Sequence, residues 1–485
     1  MDLDDLVRQG EALHQELGRE HYLTGAGLKA EPEFQAIYRR YGALASEEAV
    51  ELARSSGSLA LYEWVAGLRA AQAAAPLEEK QLAWERETVV RAGERQVPYL
   101  SIPSELANSH NREFRLALDR NRATTVAAGL NPIRGERFQR EYEAYAALGL
   151  SDYPAAISQL SGIDLERLAE EGERFLERTA DLYAEVLEQV ARKRVGVPIS
   201  RLERADALWI FRARDYDSAF PGGGLLEAAE QQLSDLGLDL TRDGRIRIDT
   251  EERPGKQPRA FCVAARVPDE VYLVLRPRGG YQDYWTFWHE LGHALHFASV
   301  DPDESFEARW LGDASVTEGF AMLFDHMVGD RGWLSRYVGL GKREIENLSF
   351  ELGVYDLYGV RRYCAKLIYE LSLHRKEGSD LPRRYADLLT EATLFRYFTE
   401  DYLVDVDPAF YAARYLRAWQ FQATLSRLLV EQYDEDWYRN PEAAEFIVGL
   451  MRRGQALPAD QLLLSVTGQN LSFDPVVERL ETLLS

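Results

Sequence analysis

The sequence predicts a mostly α-helical protein with one small β-sheet, and three observations predict it. Apolar residues recur at spacings of three and four through almost all of the first two hundred residues, and again after about residue 280. Only between about 237 and 276 does the period switch to two, the signature of short strands. No stretch approaches the roughly 18 consecutive apolar residues that would span a bilayer.

In chain order, residues 34 to 55, 58 to 74, 78 to 96, 104 to 128 and 134 to 148 carry helical periodicity, with Pro or Gly between several of them. From Asp164 to Val195 a longer helix is expected, with Leu165, Leu168, Phe175, Leu176, Leu182, Tyr183, Val186, Leu187 and Val190 on one stripe, a core stripe ended by Pro198. The alternating region then offers Leu238 to Leu240, the turn Asp243-Gly244, Ile246 to Ile248, Arg259 to Val267 and Glu270 to Leu275, with Asp-Gly as a hairpin signal. Helices resume near 314 to 329, 354 to 375, 380 to 396, 408 to 432 and 441 to 453. The Gly222 to Gly224 cluster reads as a turn or hinge, since no Lys-Ser/Thr signature of a phosphate loop accompanies it.

Composition narrows the class of partner. A net charge of −23 over 485 residues argues against nucleic acid, whose phosphates require a basic face. The N-terminal segment is acidic and amphipathic rather than a basic run leading into an apolar one, so a cytoplasmic protein without membrane attachment is expected. Cys262 and Cys364 are too few for a disulfide framework and read as reduced thiols.

Chemistry concentrates in Tyr284 to His296, YWTFWHELGHALH. His289, Glu290 and His293 form H-E-x-x-H, and residues four apart lie one turn apart on one helix face, so two imidazoles can grip one ion. Glu290 follows the first ligand by about 100° around the helix, where a general base for a metal-activated water belongs. Three of the eight histidines fall within eight residues, flanked by Trp285, Phe287, Trp288, Leu291, Leu295 and Phe297. Burying those polar groups unpaired would cost several kcal/mol, which a bound metal avoids. Zinc is the expected ion, one per chain.

A catalytic zinc site needs a third protein ligand and an open position. The extended motif with a third histidine is excluded, because His296 stands where glycine is required and Ser299 where the histidine would be. Of Glu304, Glu307, Asp313 and Glu318, Glu318 opens an amphipathic apolar helix and is the expected ligand, with Asp313 second.

The run HELGHALH with a Glu 25 residues after the second His resembles the zinc peptidases of the thimet oligopeptidase and oligoendopeptidase F family, and Gly255 to Cys262 is similar to the G-K-x-x-G-A-Y/F-C segment of the oligoendopeptidase branch, with Arg259 where the family usually has Gly. The resemblance covers roughly residues 255 to 425. It implies that the strand at Ala260, Phe261 and Cys262 is the edge that pairs with substrate. It also implies that Asp325, seven residues after Glu318, supports a ligand histidine, and His296 is expected beside it in that supporting layer. Tyr411 and Tyr415, one turn apart, match the family's tyrosines that donate to the oxyanion. The glycine-rich lead-in loop of many relatives is replaced here by Leu403 to Pro408. The implied architecture is a two-lobed helical clam with the zinc deep in a channel, residues 1–200 forming a helical lobe and 201–485 the catalytic lobe with its small sheet.

The expected activity is hydrolysis of internal peptide bonds in short unfolded peptides, a zinc-bound water attacking with Glu290 as base. Two alternatives stand beside it: a zinc carboxypeptidase, in which Arg276 or Arg278 would bind the terminal carboxylate, and an inactive relative that binds peptide or metal. The intact Glu290 argues against the last.

Overall fold

Helix accounts for 71% of the chain and strand for 6% in the computed structural model, which describes residues 1–484; the fold is mostly α with small sheets, as expected. No helix among the described residues is long and apolar enough to cross a membrane. Two compact units form, and neither follows the single break expected at residue 200. One consists of Met1–Val65, Ala213–Phe350 and Arg417–Arg479, the other of Ala66–Arg212, Glu351–Leu416 and the last residues from Leu480. Periodicity reports which face of a helix is apolar, not which distant segment covers it.

In the second unit the helix expected over 78 to 96 is cut short. Helix Leu59–Glu87 runs through Pro76, and the chain then folds into a hairpin of β1 (Val89–Ala92) and β2 (Arg95–Pro98) that the periodicity reading missed. Gly93, at a φ of 60°, makes its two-residue turn, and alternation sends Val90, Ala92 and Val97 into the core. The stripe from 164 to 195 belongs to two helices, Leu165–Arg178 and Ala180–Arg194. They part at Thr179, whose hydroxyl donates to the Phe175 carbonyl at 2.8 Å and accepts from Arg361 at 2.6 Å.

The first unit begins with helix α1 (Leu3–Gly25). Asp2 caps it by accepting the Asp5 N–H at 2.8 Å, and Asp4 and Asp5 complement the positive end of the helix dipole. Its Gly18 lies against a strand so closely that a Cβ there would stand 2.6 Å from the Ala264 carbonyl oxygen. That strand is β4 (Phe261–Arg266) in a sheet of order β3-β5-β4, with β3 (Ile246–Asp249) parallel and β4 antiparallel to the central β5 (Glu270–Val274). The hairpin read at Asp243-Gly244 does not form. Leu238 to Leu240 is not a strand but the exit from helix Leu225–Leu236, and β3 pairs instead with β5, more than twenty residues downstream. Every residue of β5 is buried, whereas β4 is an edge strand.

Candidate metal centre

Helix α2 (Tyr281–Ser299) follows the sheet directly. Asp283 stabilises its start by accepting the N–H groups of Arg278 at 2.6 Å and Gly279 at 2.8 Å. Helix α3 (Ala314–Met327) crosses it. Asp313 is the N-cap of α3, accepting from Ser315 at 2.9 Å, from the Ala459 N–H at 3.1 Å and from Arg417 at 3.0 Å. This second-choice ligand is thereby committed to structure. The crossing is intimate because of Gly292, the glycine of HELGH: a Cβ there would lie 2.6 Å from the Ala321 Cα.

The crossing brings His289, His293 and Glu318 together. Their ligand atoms all lie within 4.8 Å of one another, and one Glu318 oxygen stands 3.5 Å from His289 Nε2 and 3.6 Å from His293 Nε2. Ligands at about 2.0–2.1 Å in a tetrahedral shell are roughly 3.3 Å apart, so the triplet is close to the spacing zinc requires, and two imidazoles with one carboxylate is a catalytic-zinc donor set. Electrostatics agree. Burial disfavours the charged form of His289, but its bonds to Asp325 and Glu318 outweigh burial and lift it to about 10. Burial likewise opposes the charged Glu318, yet the two histidines hold its carboxyl well below the ordinary range. The site thus favours positive charge between its acids, which a divalent cation supplies.

Both imidazoles are fixed from behind. Asp325, fully buried, meets His289 Nδ1 at 2.7 Å with one oxygen and His326 Nδ1 at 2.5 Å with the other. Thr317 Oγ1 meets His293 Nδ1 at 2.8 Å. These contacts leave each Nε2 free to face the ion and fix the tautomer. Sequence reasoning did not find Thr317 or His326, although each directly adjoins a residue it had named. His296 does not join this supporting layer. It is wholly buried, its ring packs on Phe320, its Nε2 faces the Gly454 carbonyl at 3.4 Å, and burial lowers it to about 3. The reason is helical phase: three residues on from His293, it falls on the core side of α2.

Glu290 is anchored to the sheet. Its carboxylate accepts the Cys262 N–H at 2.8 Å. Cys262 is in register with Leu273, and its N–H turns outward to Glu290, so this edge of β4 faces the site. Burial pushes the Glu290 carboxyl up, as suits a proton acceptor near neutral pH. The Cys262 thiol is raised well above its ordinary value, by burial first and by Glu290 second, and so is not a nucleophile. Ala260 precedes β4 by one residue. The ring of Phe261 packs against Gly25 of α1.

Tyr411 and Tyr415 belong to the second unit, where their ring centroids are 5.3 Å apart and Tyr415 lies 5.3 Å from Tyr363. Arg276 is already paired with Glu252 at 2.5 Å, which weakens the case for it as a carboxylate receptor. No family model matches the chain, and no curated protein matches it either.

Proposed function

We propose that this protein is a zinc metallopeptidase that hydrolyses internal bonds of short unstructured peptides in the cytoplasm, a relative of thimet oligopeptidase and oligoendopeptidase F. The observation that carries the reading is the convergence of three elements on one point. Helix α2 supplies His289, His293 and the carboxylate of Glu290, α3 supplies Glu318, and β4 supplies an edge N–H bonded to Glu290. A binding protein needs the ligands but not the carboxylate beside them. The two free thiols, Cys262 and Cys364, suit a reducing compartment.

His289, His293 and Glu318 would hold a zinc ion, which would supply a Lewis acid that acidifies water and polarises a carbonyl oxygen. The chain's own groups do the rest. The edge of β4 takes an extended peptide through main-chain hydrogen bonds, setting its backbone beside Glu290. Glu290 removes the proton of the water that adds to the peptide carbonyl, then delivers it to the departing amine nitrogen. Asp325 and Thr317 keep both imidazoles aimed.

The test is turnover of an internally quenched peptide mixture by wild type and Glu290→Gln, with metal quantified in each. The expected result is about one zinc per chain in both and a rate loss of at least 10²-fold in the variant. Equal rates at equal zinc content would remove Glu290 from the mechanism, and no turnover by zinc-loaded wild type would refute the peptidase reading.

A further inference from the structure

The face of α2 that carries the ligands carries more than ligands. Trp285, His289, His293 and Phe297 follow one another at intervals of four, a continuous stripe along one side of the helix. Each is half-buried, in contrast to Phe287, Trp288, Leu291, Ala294 and Leu295, which fill the core side. Trp285 stacks on His289 with centroids 5.8 Å apart and planes at 25°, and Phe297 stacks on His293 at 6.4 Å and 18°. Two large aromatic rings therefore stand immediately outside the two histidines, one toward each end of the helix.

Orienting the imidazoles does not require these rings, since Asp325 and Thr317 already fix both Nδ1 atoms. Both rings keep some surface open, whereas the core side of the same helix is covered. That open surface is available to a ligand bound at the histidines. Twelve residues of helix put the two Cα atoms roughly 18 Å apart, with the metal position near the midpoint. An extended peptide covers that distance in about five or six residues. On the peptidase reading, on which this rests, we infer that Trp285 and Phe297 are the walls of two apolar subsites, one on each side of the cleaved bond, and that the preferred substrates are peptides of about six residues or more bearing aromatic or large aliphatic side chains two to three positions from the bond on both sides.

Kinetics on a peptide set and binding to an inactive variant test this together. Octapeptides carry Phe, Leu or Ala at the second and third positions on each side of the cleaved bond, and kcat/KM is compared for wild type, Trp285→Ala, Trp285→Phe and Phe297→Ala at matched zinc content. Wild type is expected to favour Phe over Ala at least tenfold on either side. Trp285→Ala should bring the ratio on one side close to one, Phe297→Ala should do so on the other, and Trp285→Phe should restore most of the first ratio. In the Glu290→Gln background, calorimetric Kd values for the Phe peptide should rise at least fivefold with either alanine change. Turnover by wild type without side-chain preference overturns the inference while leaving the peptidase reading intact. So does an equal loss on every peptide in the alanine variants, which would mean the rings only hold the imidazoles. No turnover of any peptide by zinc-loaded wild type overturns both readings.

Discussion

Gly292→Ala is the perturbation whose size the structure sets most directly. The added Cβ would stand 2.6 Å from the Ala321 Cα and 3.0 Å from the Phe320 carbonyl oxygen, both backbone atoms of α3 that no rotamer change can move. Ordinary van der Waals contact begins near 3.4 Å, so the two helices must separate by about 0.8 Å at the crossing. The ligands sit astride that crossing, His289 and His293 on one helix and Glu318 on the other. A zinc site tolerates about ±0.2 Å in its bond lengths. The expected outcome is a zinc dissociation constant at least tenfold larger by chelator competition, with the metal-free protein losing about 1–3 kcal/mol from overpacking. Gly319→Ala is the control, because its Cβ would strike the Phe421 ring, a side chain, 2.4 Å away. It should cost stability while leaving zinc affinity within about threefold. If Gly292→Ala lowers the melting temperature but binds zinc like wild type, the helix crossing does not set the ligand geometry and the reasoning fails.

Three further outcomes are expected. Asp325→Asn should weaken zinc binding by about 10- to 100-fold, and Thr317→Val by a smaller factor in the same direction, both read by competition with a chromophoric chelator. Removing zinc from wild type should lower the melting temperature, and restoring it should raise the temperature as a function of free zinc, because only the folded chain assembles the three ligands. His296 and His374 are buried and lowered to about 3 by that burial, so the unfolded chain binds more protons than the folded one below pH 6.5. Their contribution is complete above 6.5 and drains away as pH falls toward 3. Between pH 7 and pH 5 each should cost on the order of 2 kcal/mol in urea-unfolding stability, and a flat profile over that window would show that neither stays neutral.

Much of the metal centre could be read in the sequence because it is a local pattern. His289 and His293 are one turn apart and Glu318 stands near the start of an apolar helix, while Asp325, seven residues further on, was expected from the family resemblance. The histidine spacing is fixed by helix geometry before any tertiary contact forms. What escaped was settled by tertiary contact. Thr317 looks like an ordinary helix residue until α3 lies across α2 and places its hydroxyl at His293. His296 looked like part of the site by proximity in sequence, yet its angular position carries it into the core. The β1–β2 hairpin hid inside a helical reading because its two strands are only four residues each, too short for alternation to outweigh the flanking helical period. Pairing β3 with β5 instead of forming the Asp243-Gly244 hairpin is likewise a choice among partners that alternation alone leaves open.

The placement of Gly18 against β4 has a consequence in time. Helix α1 is synthesised before the strand it packs on, which lies about 235 residues later. At about 5–20 residues per second, α1 waits roughly 10–50 s for it. Throughout that interval Tyr22 and Ala26, at the end of α1, lack the sheet residues Ala265, Tyr272 and Val274 that cover them, while Ala66 to Arg212 belongs to a different unit. The strand that positions Glu290 is therefore completed by a helix made long before it, so damage to residues 3–25 reaches the metal centre without touching a ligand.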